Sequence, residues 1–141
     1  NLLNDNLNRE LINQNILDIV DVYTADTSLD IVIESVKDNS NIYTSNENLY
    51  ETVQQWKLTV RVKVNWYNIN DNSILLDKSI EEWALYNNSG IDVGTDGIDN
   101  DSDGLLDADD SDEYGSAREA ALRITSQKII NRIINELISN W

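Results

Sequence analysis

Along residues 2–20 the apolar side chains recur at steps of three and four: Leu3, Leu7, Leu11, Ile12, Ile16, Ile19 and Val20 stand between Asn, Arg, Glu and Gln. That period gathers them on one face of an amphipathic helix and predicts a helix over 2–20. After a polar turn at 25–28 the period falls to two. In "LDIVIESV", Leu29, Ile31 and Ile33 alternate with Asp30, Val32, Glu34 and Val36, the pattern of a strand. The polar stretch 37–51 reads as a wide or mobile hairpin connection, with Tyr43 and Tyr50 as its anchors.

The clearest strand is "WKLTVRVKVNW", where Trp56, Leu58, Val60, Val62, Val64 and Trp66 alternate without a break against Lys57, Thr59, Arg61, Lys63 and Asn65. One face is core, both Trp included, and the other is wet and basic. "NINDNS" at 68–73 supplies turn residues, and "ILLDKSIEEWALY" returns as an antiparallel strand, closing a long hairpin over 54–86. "SARE" at 116–119 is a capping box, with Ser116 as cap and Glu119 bonding back. Beyond it Ala117, Ala121, Ile124, Ile130, Ile133, Ile134, Leu137 and Trp141 form a helical stripe, Trp141 plugging the end of the core. A helix of about 25 residues would be roughly 37 Å long, enough to lie across a sheet. Helix, three strands, helix is the order of an α+β two-layer sandwich: an antiparallel sheet of three or more strands, covered on one face by an N-terminal and a long C-terminal helix.

At 141 residues the chain has the size of one domain. Its net charge of −16 is concentrated in one place. Residues 90–113 hold nine Asp and Glu113 with no base, so the remaining 16 acids and 10 bases sum to only −6. The acidity therefore belongs to an insert at about 90–113 in a single domain spanning 1–141. Such charge makes nucleic acid and anionic membrane surfaces poor partners. With no Cys and no His, disulfides, thiolate chemistry, imidazole metal sites and nucleophilic triads are excluded. Glu81 and Glu82 are adjacent on a strand and point to opposite faces, so they do not form a carboxylate pair. Phosphate loops and dinucleotide fingerprints are absent, and no apolar run approaches the roughly 20 residues that span a bilayer. The chain reads as a non-enzyme.

Within the insert, "DNDSDGLLDADD" places Asp99, Asp101, Asp103, Asp107 and Asp110 at loop positions 1, 3, 5, 9 and 12, with Gly104 at position 6. This is the spacing of a calcium loop, in which alternate carboxylates converge on a hard cation and glycine permits the sharp turn. Leu105, at position 7, would contribute its backbone oxygen, and Asp110 stands where a longer Glu is usual. Upstream, "DVGTDGID" adds Asp92 and Asp96 as further candidate ligands, and the short step resembles the tandem calcium loops of thrombospondin type 3 and dockerin-like repeats. The competing reading is a solvated acidic loop. Repulsion among five or more carboxylates favours the calcium cage, with a structural role. On the long strand, Lys57, Arg61 and Lys63 make a row of bases open to two readings, a face for an anionic ligand or partner and ordinary solvated positions.

Taken together, "LNRELINQNILDIV", "SLDIVIESV", "WKLTVRVKVNWYNIND", "ILLDKSIEEWALY" and "IINRIINELISNW" resemble, in order and alternation, the LPS-assembly lipoprotein (LptE-type) family, over nearly the whole chain except 87–115. The resemblance implies an outer-membrane lipoprotein on the periplasmic side, held only by a lipid on a Cys upstream of residue 1, with the family's first strand also upstream. It implies a plug or assembly aid within a β-barrel translocon partner, helping to deliver lipopolysaccharide to the outer leaflet. The acidic insert departs from that pattern, and the bases on the strand are read from charge and face alone. An alternative is a calcium-stabilised cell-surface binding or adhesion domain, and a third is the α+β domain of another periplasmic assembly such as the Tol system.

Overall fold

The computed structural model describes residues 2–45, 51–87, 91–99, 104–106, 109 and 114–140. The fold is α+β: a three-stranded antiparallel sheet in the order β1-β2-β3, against which an N-terminal and a long C-terminal helix pack. Helix α1 spans Leu2–Asn13, β1 Thr27–Ser45, β2 Glu51–Asn68 and β3 Ile74–Asn87; a 3₁₀ turn at Val93–Thr95 precedes helix α2, Ala117–Ser139. At 23 residues α2 is about 34 Å long.

The chain gathers into two compact units, and β1, β2, β3 and α2 each contribute a stretch to both. The first comprises Asn1–Ser35, Arg61–Glu81 and Ser126–Trp141. Its core joins Leu3, Leu7 and Leu11 of α1, Val62, Val64 and Trp66 of β2, Leu76 and Ile80 of β3, and Ile129, Ile130, Ile133, Ile134 and Leu137 of α2. The second comprises Val36–Val60 and Glu82–Thr125, with Leu58, Val60, Ala84, Val93, Ala120, Ala121 and Thr125 buried. Thr125 keeps its hydroxyl satisfied by donating to the Ala121 carbonyl one turn back, at 2.7 Å. On β2 the buried residues are those at even positions, as the strict alternation of that strand predicts. Trp66 is fully buried, whereas Trp56 is only half-buried.

Two elements depart from the expected boundaries. Helix α1 stops at Asn13 instead of running to Val20 because Asn15 adopts a left-handed conformation, φ +50°. The Ile16 amide donates to the Leu11 carbonyl at 3.2 Å and the Asn15 amide to the Ile12 carbonyl at 3.1 Å, the two bonds of a Schellman stop. Ile19, Val20 and Val22 therefore lie in irregular chain, half or more exposed. The stretch read as a connection over 37–51 is instead strand as far as Ser45, and β2 begins at Glu51. Strand β1 is an edge of the sheet and little of it is buried, so backbone pairing extends it without an apolar face. Polar contacts substitute for that face: the Asn41 amide donates to Gln55 Oε1 at 2.6 Å. The side chains of Tyr43 and Tyr50, and Trp141, lie outside the described residues.

The turn between β2 and β3 follows its polar sequence closely. The Asn70 and Ser73 amides donate to the side chains of Asn68 and Asp71, at 2.8 and 2.9 Å, and Asn72 takes φ +57°.

Candidate functional site

The odd positions of β2 carry Lys57, Arg61 and Lys63, and in an antiparallel pair each reaches residues on the same face of β3. In the first unit Lys63 is ion-paired with Asp77, and Arg61 Nε lies 3.0 Å from Glu81 Oε2. Beside them the Ser79 hydroxyl donates to Glu34 of β1 at 3.2 Å. In the second unit Lys57 Nζ sits over the Trp83 ring, 4.5 Å from its centroid. The side chains of both ion pairs are about one third to one half exposed, so water screens them. The bases thus form a local pattern of paired charge together with one cation–π contact. The sequence showed the row of bases; which acids face it requires the register of β3.

Asp38, on β1 in the second unit, draws together three elements of the same unit. Arg118 at the start of α2 donates to both of its carboxylate oxygens, 2.8 Å from Nη2 and 3.2 Å from Nε, and the Tyr86 hydroxyl of β3 donates to Oδ1 at 2.8 Å. Hydrogen bonds from the Arg118 guanidinium hold the Asp38 carboxyl below the usual carboxylate range, ahead of the opposing effect of burial. Burial, and then the Asp38 carboxylate, push the Tyr86 hydroxyl up. No sequence pattern marked this trio, because its members lie 48 and 80 residues from Asp38.

The insert leaves β3 and returns at a fixed root. Asp92 caps the 3₁₀ turn, and its Oδ1 accepts from the Gly94 amide at 3.0 Å and from the Gly115 amide at 3.1 Å. Asp92 also bridges Ser116 through the backbone, the Val93 amide donates to the Gly115 carbonyl at 3.0 Å, and Val93 is buried. Next comes the capping box, with the Ser116 amide donating to Glu119 at 3.0 Å and the Glu119 amide to the Ser116 hydroxyl at 3.4 Å. Arg123 donates to the Tyr114 carbonyl at 2.6 Å and stacks over its ring.

Of the candidate calcium ligands, Asp99 and Leu105 are among the described residues, and Asp101, Asp103, Asp107 and Asp110 lie outside them. The Gly104 amide donates to Asp99 Oδ2 at 3.0 Å, and Gly104 has φ +96°, a left-handed turn that glycine adopts freely. Asp96 accepts from the Ile98 amide at 2.9 Å.

The first unit also contains a groove of about 700 Å³, bounded by α1, the irregular chain after it, the start of β1 and the end of β2. Leu7, Leu11, Leu17, Leu29 and Trp66 give it apolar walls, and Asp18 and Asp30 line it as acids. Sequence reading placed Ile16, Ile19 and Val20 on a helix face and so missed the hollow; the signal available was Asn15, a residue suited to a helix stop. Among the described residues no helix is long and apolar enough to cross a membrane.

Comparison with protein families matches residues 1–137 to the family described as LptE, lipopolysaccharide-assembly. Comparison with curated proteins gives no match.

Proposed function

Because the chain belongs to the LptE family of lipopolysaccharide-assembly proteins, we propose that it is a non-enzymatic outer-membrane lipoprotein on the periplasmic side, supporting or plugging a β-barrel partner in the lipopolysaccharide translocon. The observation that carries this reading is the family match across 1–137, which takes in α1, all three strands and α2 except its last two residues. The paired face supports it. Bases already matched to Asp77 and Glu81 need no dense anion for compensation, so β2 suits the mixed polar wall of a partner better than a highly charged ligand. Arg61 and Lys63 in the first unit, and separately Lys57 in the second, are the candidate partner-contacting residues. The adhesion reading has no comparable support.

Purification of the native, full-length protein from membranes under mild detergent is the test. A large β-barrel protein should accompany it, and its depletion should lower lipopolysaccharide at the cell surface. Isolation without a barrel, and surface lipopolysaccharide unchanged on depletion, would count against the role.

We further infer that the insert binds calcium through Asp99, Asp101, Asp103, Asp107, Asp110 and the Leu105 carbonyl, with Asp92 and Asp96 upstream in the sequence as additional candidates. The spacing and the turn at Gly104 fit such a loop, and a hard divalent cation would neutralise the crowded carboxylates. Millimolar calcium should raise Tm, and Asp101→Ala combined with Asp103→Ala should abolish the rise. Superimposable melting curves in calcium and in chelator would leave an ordinary acidic loop.

A further inference from the structure

The root of the insert is more elaborate than a loop requires. A chain that only needed to leave β3 and re-enter at α2 could do so with solvated ends. Here a single carboxylate oxygen, Asp92 Oδ1, accepts amides from both ends at once, Gly94 just after it and Gly115 on the returning chain. The backbone bridge from Asp92 to Ser116 and the Val93-to-Gly115 bond run beside it, and the fully buried Val93 side chain anchors the 3₁₀ turn of the outgoing chain. The returning chain passes directly into the capping box of α2, and Gly115, at φ +82°, takes a backbone conformation that residues with a side chain rarely adopt; an added Cβ would also lie 2.6 Å from Glu119 Oε2 and displace the carboxylate that closes the capping box.

We propose that Asp92 is the clasp of the insert, a positioning residue that ties the outgoing and returning chains together, so that the excursion between Thr95 and Tyr114 can be cut, shortened or loaded without unfolding the protein. Three consequences follow from the chemistry. An acceptor is required at Asp92 but a charge is not, since both partners are backbone amides. Loop closure is accomplished at the root, so the length beyond it adds little to stability. Whatever the acidic residues beyond the root bind, they bind on a platform already formed. This last point concerns the same insert as the calcium reading, but the clasp stands whether or not calcium binds.

The experiment compares Asp92→Asn, which keeps the acceptor oxygen, with Asp92→Ala, which removes it, together with a variant in which 97–113 is replaced by a short Gly-Ser linker; exchange is measured in chelator, and melting both in chelator and in millimolar calcium. Hydrogen exchange at the Gly94 and Gly115 amides should be unchanged in Asp92→Asn and about tenfold faster in Asp92→Ala. The shortened variant should melt within a few degrees of the parent. Equal protection in Asp92→Ala and the parent, or an unfolded shortened variant, would overturn the proposal. If Asp92→Ala does not fold, the Asn variant still decides. Its Tm response to calcium should match the parent's, and loss of that response with both amides still protected would make Asp92 a ligand instead. A parent with no calcium response removes the calcium reading and leaves the exchange comparison to judge the clasp.

Discussion

Ile133 and Ile138 stand five residues apart on α2 and differ only in where they point: Ile133 is fully buried in the first unit, whereas Ile138 is 53% exposed. Replacing either by Ala removes the same three carbons. At Ile133 the lost transfer free energy is about 2.4 kcal/mol at about 0.8 kcal/mol per carbon, and the cavity left in a packed interior raises the total to roughly 3–4 kcal/mol. At Ile138 only about half of the transfer free energy is at stake, there is no closed cavity, and alanine returns a few tenths of a kcal/mol in helix propensity, leaving under about 1 kcal/mol. Urea unfolding of parent and both variants measures this, provided the slopes agree. A Tm drop of roughly 10 °C for Ile133→Ala, against 3 °C or less for Ile138→Ala, is the corresponding thermal result. Similar losses at the two sites would mean that α2 does not present the Ile133 face to the sheet, and the assignment of the core would fall.

Asp38→Asn should lower stability at pH 7 by no more than about 1 kcal/mol, because the Arg118 side chain is 47% exposed. The sign with pH is fixed: the Asp38 carboxyl lies below its ordinary 3.8 in the folded state, so its contribution is complete above that value and disappears as pH falls through the lowered one. Parent and variant stabilities should accordingly converge in acid, and a gap that persists at the lowest pH would refute the charge-assisted bond. Asn15→Gly should stabilise by a few tenths of a kcal/mol and Asn15→Val should destabilise by about 1–2 kcal/mol, since Asn15 sits at φ +50°; equal stability of the two variants would contradict the helix stop.

How much of this fold was legible depends on how local its causes are. The body of β2, its C-terminal end and β3 could be placed from sequence because six apolar residues alternate without interruption from Trp56 to Trp66, and polar turn residues follow; the polar start of β2 at Glu51 could not. The capping box at Ser116 and Glu119 was equally legible, since its partners lie three residues apart. The end of α1 was not, because the periodicity of Ile16, Ile19 and Val20 persists beyond it while the deciding event is the backbone conformation of one asparagine. The length of β1 was also hidden: an exposed edge strand needs no apolar alternation, and its polar half is held by contacts such as Asn41 with Gln55. At the candidate sites, composition revealed the bases and acids but not their pairing. Arg61 with Glu81 needs the hairpin register, and the use of Asp92 as an acceptor needs Gly115, 23 residues away.

The distribution of charge suits the proposed docking role even though the same short chain carries an acidic insert. Net charge of −16 spread over a contact face would oppose approach to any acidic partner and would have to be desolvated on docking. Instead, Arg61 and Lys63 of β2 meet acids of β3, so that stretch offers hydrogen-bonding groups with little net field, whereas ten of the uncompensated acids lie in one stretch of the sequence. A partially exposed ion pair already formed in the free protein also loses less side-chain freedom on binding than an unpaired Lys or Arg. Reversing one member of a pair, as in Glu81→Lys, should therefore weaken association with a barrel partner more than it weakens the fold, by placing like charges side by side at Arg61. Restoring opposite charge with Arg61→Glu in the same chain should recover both. If the double variant folds as the parent does and still fails to associate, the partner reads Arg61 and Glu81 individually, and self-neutralisation is not what makes the face suitable.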